Sequence, residues 1–390
     1  LRIYPTTEET FLPGGEVPAV GDTFEQPELA ETLRRIRDQG ATGFYSGRTA
    51  DLIVEEMERG GGLITHEDLE QYEAVWRDPV RFQYHDHGVI SMAPPSSGGA
   101  TMAEGALIME EFYFSERDWH SATHVHLMAE AWKRAYIDRN TYLADPTFVE
   151  VPLDAMIAPG YADERRDPIV DNRATPADSV LPGLGPAPEP LPPYESVQTT
   201  HFSIVDSAGR AVSVTTTLNS GFGNKVTVAG AGFVLNNEMD DFSAKPGAPN
   251  LYGLVEGEAN VVQPGKRMLS SMSPTIVEDP QGNLLMVTGT PGGSTIISTT
   301  FQTISNVVDF GMNAAQSVRA PRVHHQHLPD QIYVEPQGLP ADVMESLRGM
   351  GHTVVERDSF SGDAQVILVR EDGILEGASD PRRGGTAAGF

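Results

Sequence analysis

Two threonine-containing stretches near the middle of the chain constrain its fold and chemistry more than any other feature. The first, Gln198–Ser203, follows a proline-rich run and opens an alternation typical of a strand. The second, Thr215–Asn219, contains Thr217. A threonine hydroxyl is a weak nucleophile, but a free α-amino group on the same residue, with a pKa of about 8, can serve as its base. Cleavage of the Gln198–Thr199 bond would create that arrangement. The alternative is an ordinary strand, since threonine is common in strands.

Composition excludes several classes of function. The 390 residues include 55 acidic and 27 basic side chains, and the resulting charge of −28 repels nucleic acid and anionic lipid. The absence of cysteine excludes disulfides, thiolate catalysis and cysteine-bound metals. No apolar run reaches the length of about 18 residues that a membrane-spanning helix needs. The length indicates one large domain or two closely associated domains.

The first half of the chain has the spacing of helices. Pro27 suits a first helical turn, and Thr65 and Asp68 have the spacing of a capping box. One strand is predicted over 82–92. The predicted helices are 27–38, 49–59, a short helix after Thr65, 100–111 and 122–140.

The pattern changes after segment 167–193, which contains eight prolines and is predicted to be a linker or exposed loop. Two hairpins are predicted beyond it, 200–206 with 211–218 and 274–278 with 284–289. A helix over 294–310, with Ser294 as its N-cap, comes next. The chain is then predicted to finish with a helix over 342–350 and strands over 354–357, 364–370 and 374–377. This order favours a layered α/β sandwich over alternating βαβ units.

Nine short motifs follow one another along the chain: GGLIT (61–65), APPSSGG (93–99), YESVQTTHFS (194–203), VTTTLNSGFG (214–223), LNNEMDDFSAKPGAPNLYG (235–253), KRMLSSMSPT (266–275), TGTPGGS (288–294), APRVHHQHLPD (320–330) and GASDPR (377–382). With these motifs in this order, the sequence resembles the γ-glutamyltranspeptidase family of N-terminal-nucleophile hydrolases. The resemblance implies a four-layer αββα sandwich. It also implies self-cleavage between Gln198 and Thr199, which would separate the C-terminal part of a large subunit, 1–198, from a small catalytic subunit, 199–390.

The start of the chain departs from the family pattern. Family members carry further residues before the segment that matches 21–23. That part includes an arginine that binds the α-carboxylate of the substrate, and no residue of this chain is assigned its role. The chain is therefore expected to lack the family's N-terminal segment.

The resemblance also implies roles for individual residues. Thr199 would be the nucleophile, oriented by the hydroxyl of Thr217. Gly292 and Gly293 would form the oxyanion hole, although a glycine pair between a strand and a helix also fits a tight turn. A phosphate loop fits less well, since no GK[ST] follows. The residues implied to bind the γ-glutamyl group are Asn219, Glu238, Asp241, Ser270 and Ser271, and Tyr252 would lie in a lid over 243–253.

Seven histidines invite a metal interpretation: His85, His87, His124, His126, His324, His325 and His327. Zinc needs three or four convergent ligands, and the sequence gives no reason for these to converge. No metal or cofactor is predicted.

The resemblance implies that the γ-glutamyl group of glutathione, or of a related amide, passes through an ester on Thr199 to water, an amino acid or a peptide. A glutaryl or cephalosporin acylase, or an enzyme acting on poly-γ-glutamate, is the alternative within the family. Glu238 and Asp241 favour a substrate that carries an amino group. A non-catalytic binding protein is the alternative from another class. A periplasmic or extracellular location is implied by the resemblance alone.

Overall fold

The chain forms two compact units. The computed structural model describes residues 1–185, 199–246, 248, 250 and 254–389. The first unit contains residues 1–77 and 218–237, and the second contains 78–217 and 238–390. Each unit therefore includes residues from both sides of Thr199. This division by packing differs from a division by cleavage, which stays a prediction.

Helices supply the regular structure of the first unit: α1 (Pro5–Phe11), α2 (Pro27–Gln39), α3 (Thr42–Tyr45), α4 (Gly47–Gly60) and α5 (His66–Gln71). The predicted capping box begins α5. The N–H of Asp68 donates to Thr65 Oγ1 at 3.3 Å, and the N–H of Thr65 donates to Asp68 Oδ2 at 2.8 Å. The small core of this unit forms where Leu52 and Ile53 of α4 pack with Leu69 and Val228.

The strands all lie in the second unit. They are β1 (Val80–Tyr84), β2 (His87–Ser91), β3 (Thr200–Val205), β4 (Ala211–Thr216), β5 (Thr275–Glu278), β6 (Leu284–Gly289), β7 (Val323–His324), β8 (Ile332–Val334), β9 (Val354–Glu356), β10 (Gln365–Val369) and β11 (Leu375–Ser379). Six of them form an antiparallel sheet in the order β1-β2-β5-β6-β10-β11. The strands β7, β8 and β9 form a small mixed sheet.

The helices of the second unit are α6 (Gly98–Met109), α7 (Ala122–Tyr142), α8 (Leu153–Met156), α9 (Pro159–Arg166), α10 (Ile296–Val308), α11 (Ala314–Arg319) and α12 (Ala341–Gly349). Every residue of α6 is buried, and α6 packs against α7 and β1, while α10 packs against β6. The apolar core joins Val277 and Met286 of the sheet to Met102, Trp132 and Phe301 of these helices.

Strands β3 and β4 form a hairpin that packs on β6 and β10. The hairpin has one polar and one apolar face. His201, which pairs with Thr215, is buried, whereas Phe202 and Ile204 are 44% and 51% exposed. The polar face of the hairpin is thus the inner one. The nucleophile candidate lies at the start of this inner face, since Thr199 comes two residues before His201.

The single strand predicted over 82–92 is wrong, because the chain reverses within it. Tyr84 pairs with His87, and the two residues between them form a hairpin turn. Both turn residues, His85 and Asp86, have positive φ, 46° and 65°. That conformation is usually adopted by Asn-Gly or Asp-Gly pairs, so the pair His85-Asp86 is a weak indication of a turn.

The predicted N-cap of the helix over 294–310 is also wrong. Ser294 lies inside a short 3₁₀ helix, Gly293–Thr295, and α10 begins only at Ile296. The hydroxyl of Ser294 donates to Gln326 Oε1 at 2.7 Å, and the residue at the N-cap position of α10 is Thr295.

Most of the described part of the predicted linker, 167–185, is exposed, as predicted, but a few residues anchor it to the rest of the second unit. Ala177 and Val180 are buried, and the N–H of Ala177 donates to Asp330 Oδ2 at 2.8 Å. The N–H of Gly183 donates to Asp138 Oδ1 at 2.9 Å. These two bonds anchor the described part of the segment, and the remainder of the prediction, 186–193, lies outside the described residues.

The close approach of α6 to α7 depends on Gly105. A Cβ on Gly105 would lie 2.4 Å from Cζ3 of Trp132, whose ring is buried. We expect Gly105→Ala to lower the free energy of unfolding by about 1–3 kcal/mol through overpacking. Urea unfolding measures this change. The matched control is Gly349→Ala at the end of α12, where no atom lies within 4 Å of the new Cβ. An equal effect of the two substitutions would contradict the argument.

Candidate active site

The hairpin brings the two predicted threonines together. Thr200 pairs with Thr216, so Thr199 and Thr217 lie opposite each other just outside the ladder. The hydroxyl of Thr199 donates to Thr217 Oγ1 at 3.2 Å, and both side chains are half-buried. A hydroxyl held by a neighbouring hydroxyl has a restricted rotamer, which is what a nucleophile needs for alignment.

His201 continues the polar inner face of the hairpin. Its Nδ1 lies 2.8 Å from Thr215 Oγ1, and its Nε2 lies 3.1 Å from Ser203 Oγ. Burial lowers the pKa of His201 to about 4, so the ring is neutral near pH 7. A Cβ on Gly289 would lie 2.3 Å from this ring. The segment that begins with Thr199 therefore touches the end of β6.

The predicted oxyanion glycines follow β6 directly. Gly292 and Gly293 have φ of 148° and 58°, values that favour glycine. Neither N–H meets an acceptor within the described part of the chain, while the carbonyl of Gly292 accepts from the N–H and the hydroxyl of Thr295. The pair thus presents two backbone donors just before a short 3₁₀ turn and α10, an arrangement that can stabilise an oxyanion.

The serine pair Ser270 and Ser271 lies beside the turn that contains Ser97. The N–H and the hydroxyl of Ser97 both donate to the carbonyl of Ser270, at 2.7 Å and 2.6 Å. The N–H of Ser270 donates to the carbonyl of Pro95 at 2.9 Å. The motifs APPSSGG and KRMLSSMSPT, far apart in sequence, are therefore joined at this point.

The predicted acidic pair lies on one 3₁₀ helix, Glu238–Asp241, and both side chains are half-buried. Burial raises the pKa of Glu238 from 4.5 to about 7. The carbonyl of Asp241 accepts from Asn260 Nδ2 at 2.7 Å, which ties this helix to the 3₁₀ helix Glu258–Asn260. Two carboxylates one turn apart can accept hydrogen bonds from an ammonium group.

Asn219 belongs to the first unit and not to the second. It is buried, has a φ of 71°, and donates through Nδ2 to the carbonyl of Asn237 at 3.3 Å. Gln198 and Tyr252, predicted for the cleavage site and the lid, lie outside the described residues.

One cluster among the described residues has the composition of a metal site. The ligand atoms of His126, Glu130 and His352 lie within 4.8 Å of one another. The carboxylate of Glu130, however, already accepts from Lys133 at 3.2 Å and from Arg134 at 2.7 Å. These cations balance its charge, so the cluster offers a dication little attraction. His126 was a candidate from the sequence, but Glu130, one turn further along α7, and His352, from a distant part of the chain, were not.

Sequence reasoning also missed Arg139, whose guanidinium donates to Ser271 Oγ at 3.2 Å. The available signal was a strong base inside the predicted helix 122–140, because an arginine that becomes buried requires buried acceptors.

The whole chain, residues 1–390, matches the family model described as gamma-glutamyltranspeptidase. The glutathione hydrolase proenzyme of Escherichia coli (strain K12) is 47% identical over 379 residues, which cover 97% of this chain and 64% of that protein. The acylase ACY 1 proenzyme of Pseudomonas sp. (strain V22) is 33% identical over 382 residues, with coverages of 98% and 64%. This chain thus spans a little under two thirds of the length of these relatives.

The fold resembles a crystal structure of cephalosporin acylase from Bacillus halodurans, with a TM-score of 0.83 and 27% identity, over 100% of this chain and 67% of that one. This likeness confirms the predicted α/β class, the four-layer αββα sandwich of N-terminal-nucleophile hydrolases. Sequence and fold lead to one conclusion: the chain belongs to the γ-glutamyltranspeptidase family.

Proposed function

We propose that this chain carries the catalytic centre of a self-cleaving γ-glutamyl hydrolase and transferase. The observation that carries the proposal is the hydrogen bond of 3.2 Å between the hydroxyls of Thr199 and Thr217, at the start of a hairpin packed on β6. Cleavage between Gln198 and Thr199 would give a large-subunit part, 1–198, and a small subunit, 199–390, which stay associated. The family membership and the proenzyme names of the relatives support it.

The chemistry follows from the groups present. The free α-amino group of Thr199 takes the proton of its own hydroxyl as Oγ1 attacks the amide carbon of the substrate. The N–H groups of Gly292 and Gly293 stabilise the resulting oxyanion, each by roughly 2.7–4 kcal/mol. The carbon–nitrogen bond then breaks, the leaving amine takes the proton, and an ester remains on Thr199. Water releases glutamate from this ester, whereas an amino acid or peptide amine takes the acyl group. No cofactor takes part in these steps.

Recognition of the γ-glutamyl group divides between two kinds of protein group. The hydroxyls of Ser270 and Ser271 donate to the α-carboxylate of the substrate, and the carboxylates of Glu238 and Asp241 accept from its ammonium. Asn219 and Tyr252 are assigned roles in this recognition by the family resemblance alone, and Tyr252 lies outside the described residues. Glutathione and related γ-glutamyl amides have all of these groups.

A second candidate is an acylase for glutaryl or cephalosporin side chains, or an enzyme acting on poly-γ-glutamate. The likeness to acylase ACY 1 and to cephalosporin acylase favours the acylase. The pair Glu238 and Asp241 favours the γ-glutamyl substrate, because a glutaryl chain has no ammonium group for these carboxylates to bind. A non-catalytic binding protein would have no use for an aligned Thr199 and two backbone N–H groups that meet no acceptor among the described residues.

The net charge of −28 argues against nucleic acid as a partner. Within the described residues, no helix combines the length and apolarity needed to cross a membrane. A periplasmic or extracellular location is proposed from the family resemblance.

We expect the protein to cleave itself between Gln198 and Thr199, which intact-mass analysis of the purified protein detects as two fragments. Thr199→Ala should abolish cleavage. Thr217→Ala should slow it, since the hydroxyl that aligns the nucleophile is lost. Thr216→Ala is the matched control, because Thr216 is exposed on the other face of β4. A single uncut mass from the longest natural form of the protein would contradict self-cleavage.

We expect Asp241→Ala to impair γ-glutamyl substrates selectively. Loss of a charge-assisted bond to the substrate ammonium, typically about 1.5–3 kcal/mol, should lower kcat/KM for a γ-glutamyl anilide roughly ten- to hundredfold. The glutaryl anilide lacks that ammonium and should be affected much less. The exposed neighbour Asp240 gives the control variant Asp240→Ala. A parent enzyme that prefers the glutaryl anilide would establish the acylase instead.

We expect substrate affinity to depend on the ionisation of Glu238, whose pKa is about 7 because of burial. Only the carboxylate accepts from the ammonium, so KM for the γ-glutamyl anilide should fall as the pH rises through about 7. KM for the glutaryl anilide should not show this fall. Glu238→Gln should flatten the profile, and a variant that keeps the parent's profile would exclude Glu238 from ammonium binding.

In the unliganded protein, the contribution of Glu238 to the free energy of unfolding should fall as the pH rises, whereas substrate affinity should increase. A raised carboxyl pKa means that the folded state holds the proton more tightly than the unfolded state. The contribution of Glu238 is therefore full below pH 4.5 and is lost as the pH rises to about 7. Glu238→Gln should remove this part of the pH dependence, measured by urea unfolding across that range.

A further inference from the structure

The guanidinium of Arg139 makes four hydrogen bonds inside the second unit. Arg139 lies near the end of α7 and is 1% exposed. Its Nε donates to Ser97 Oγ at 2.9 Å, and one terminal nitrogen donates to Glu256 Oε1 and to Asn140 Oδ1, both at 2.8 Å. The other terminal nitrogen donates to Ser271 Oγ at 3.2 Å. A single buried side chain thus fixes both of the joined serine turns.

The two serine turns are held in register by further bonds. The hydroxyl of Ser97 donates to the carbonyl of Ser270 at 2.6 Å, and the hydroxyl of Ser96 donates to the carbonyl of Met272 at 2.6 Å. Because Arg139 bonds the oxygen of Ser97, it orients that hydroxyl toward Ser270. The backbone on either side of Ser271 is therefore fixed, and its side chain has one strong donor beside it.

The direction of these bonds decides where the serine protons point. A guanidinium has no lone pair, so Ser271 Oγ can only accept from Arg139. Likewise, Ser270 Oγ accepts from the N–H of Met272 at 3.1 Å. Each hydroxyl therefore keeps its own proton for another partner, and neither proton has an acceptor among the residues that the structure describes. Both serines are half-buried, so a ligand can reach these protons.

We propose that Arg139 is a positioning residue for recognition of the substrate α-carboxylate. By occupying a lone pair of Ser271, it turns the hydroxyl proton toward the carboxylate and restricts the rotation that binding would otherwise have to freeze. Glu256 balances the charge of Arg139 in a buried pair, so Arg139 contributes to carboxylate binding by orienting Ser271 and not by direct electrostatic attraction. This inference rests on the proposed function, in which Ser270 and Ser271 bind that carboxylate.

The test compares two ligands that differ only in the α-carboxylate, L-glutamate and 4-aminobutanoate. Their affinities are measured by ligand-observed NMR titration on the longest natural form of the protein, together with turnover of a γ-glutamyl anilide. Arg139→Lys keeps the positive charge beside Glu256 but loses the terminal guanidinium nitrogen that donates to Ser271. It should weaken L-glutamate about tenfold, leave 4-aminobutanoate unchanged, and raise KM for the anilide more than it lowers kcat.

A mutant cycle separates positioning from support of the fold. Ser271→Ala should weaken L-glutamate to a similar extent, and the double variant should lose little more, because both changes remove one oriented hydroxyl. Arg134→Lys is the matched control: Arg134 is also buried in α7 and pairs with Glu130 at 2.7 Å, away from the serines. It should leave the ratio of the two affinities unchanged.

Additive losses, or equal losses for both ligands, would overturn the positioning role of Arg139. L-Glutamate binding with the expected cycle but no anilide turnover would reject the proposed reaction while the role of Arg139 stands. Anilide turnover with an additive cycle would reject the role of Arg139 while the proposed reaction stands. A parent protein that binds L-glutamate no better than 4-aminobutanoate would overturn the inference as well.

Discussion

The register of the β3–β4 hairpin is the constraint on which the candidate site depends. Side chains alternate along a strand, so a slip of one residue would turn Thr199 from the inner face to the outer face. The turn fixes this register: Asp206 Oδ1 accepts from the N–H groups of Ala208 and Arg210, at 2.9 Å and 3.0 Å. The contact of His201 with Gly289 then sets the hairpin against β6. Local turn chemistry and one close approach together align Thr199, the proposed nucleophile.

The helix α7 shows a second way in which this fold positions polar groups. It is buried along most of its length, yet it carries Glu130, Asp138 and Arg139. Each has an oppositely charged partner: Glu130 pairs with Lys133 and Arg134, Asp138 with Arg165, and Arg139 with Glu256. Such pairs add little net stability, since desolvation offsets most of their attraction. Their benefit is geometric, because a charge on α7 can be buried only when its partner is in place. The pairs thereby specify how distant segments of the chain pack on α7.

The sequence predicted those features that local chemistry determines. Pro27 and the Thr65–Asp68 capping box place helices, and alternation places the hairpin that starts at Thr200. The turn at His85 was not predictable from residue preferences, because its conformation is imposed by the pairing of β1 with β2. The resemblance supplied the threonine and glycine roles, which stay predictions. Arg139 escaped detection because its partners Ser97, Glu256 and Ser271 lie 42, 117 and 132 residues away.

The strongly negative charge of the chain raises the question of how it could recognise a ligand with a carboxylate. At physiological ionic strength, charges farther than about 8 Å apart are largely screened, so most of the net charge of −28 has little effect on a ligand at the site. Recognition then depends on nearby donors. The hydroxyls of Ser270 and Ser271 are neutral, and each already accepts a hydrogen bond, so their protons are directed without the introduction of an unpaired charge. An acidic protein can in this way bind an anionic group through oriented dipoles, provided that a buried donor such as Arg139 holds them in place.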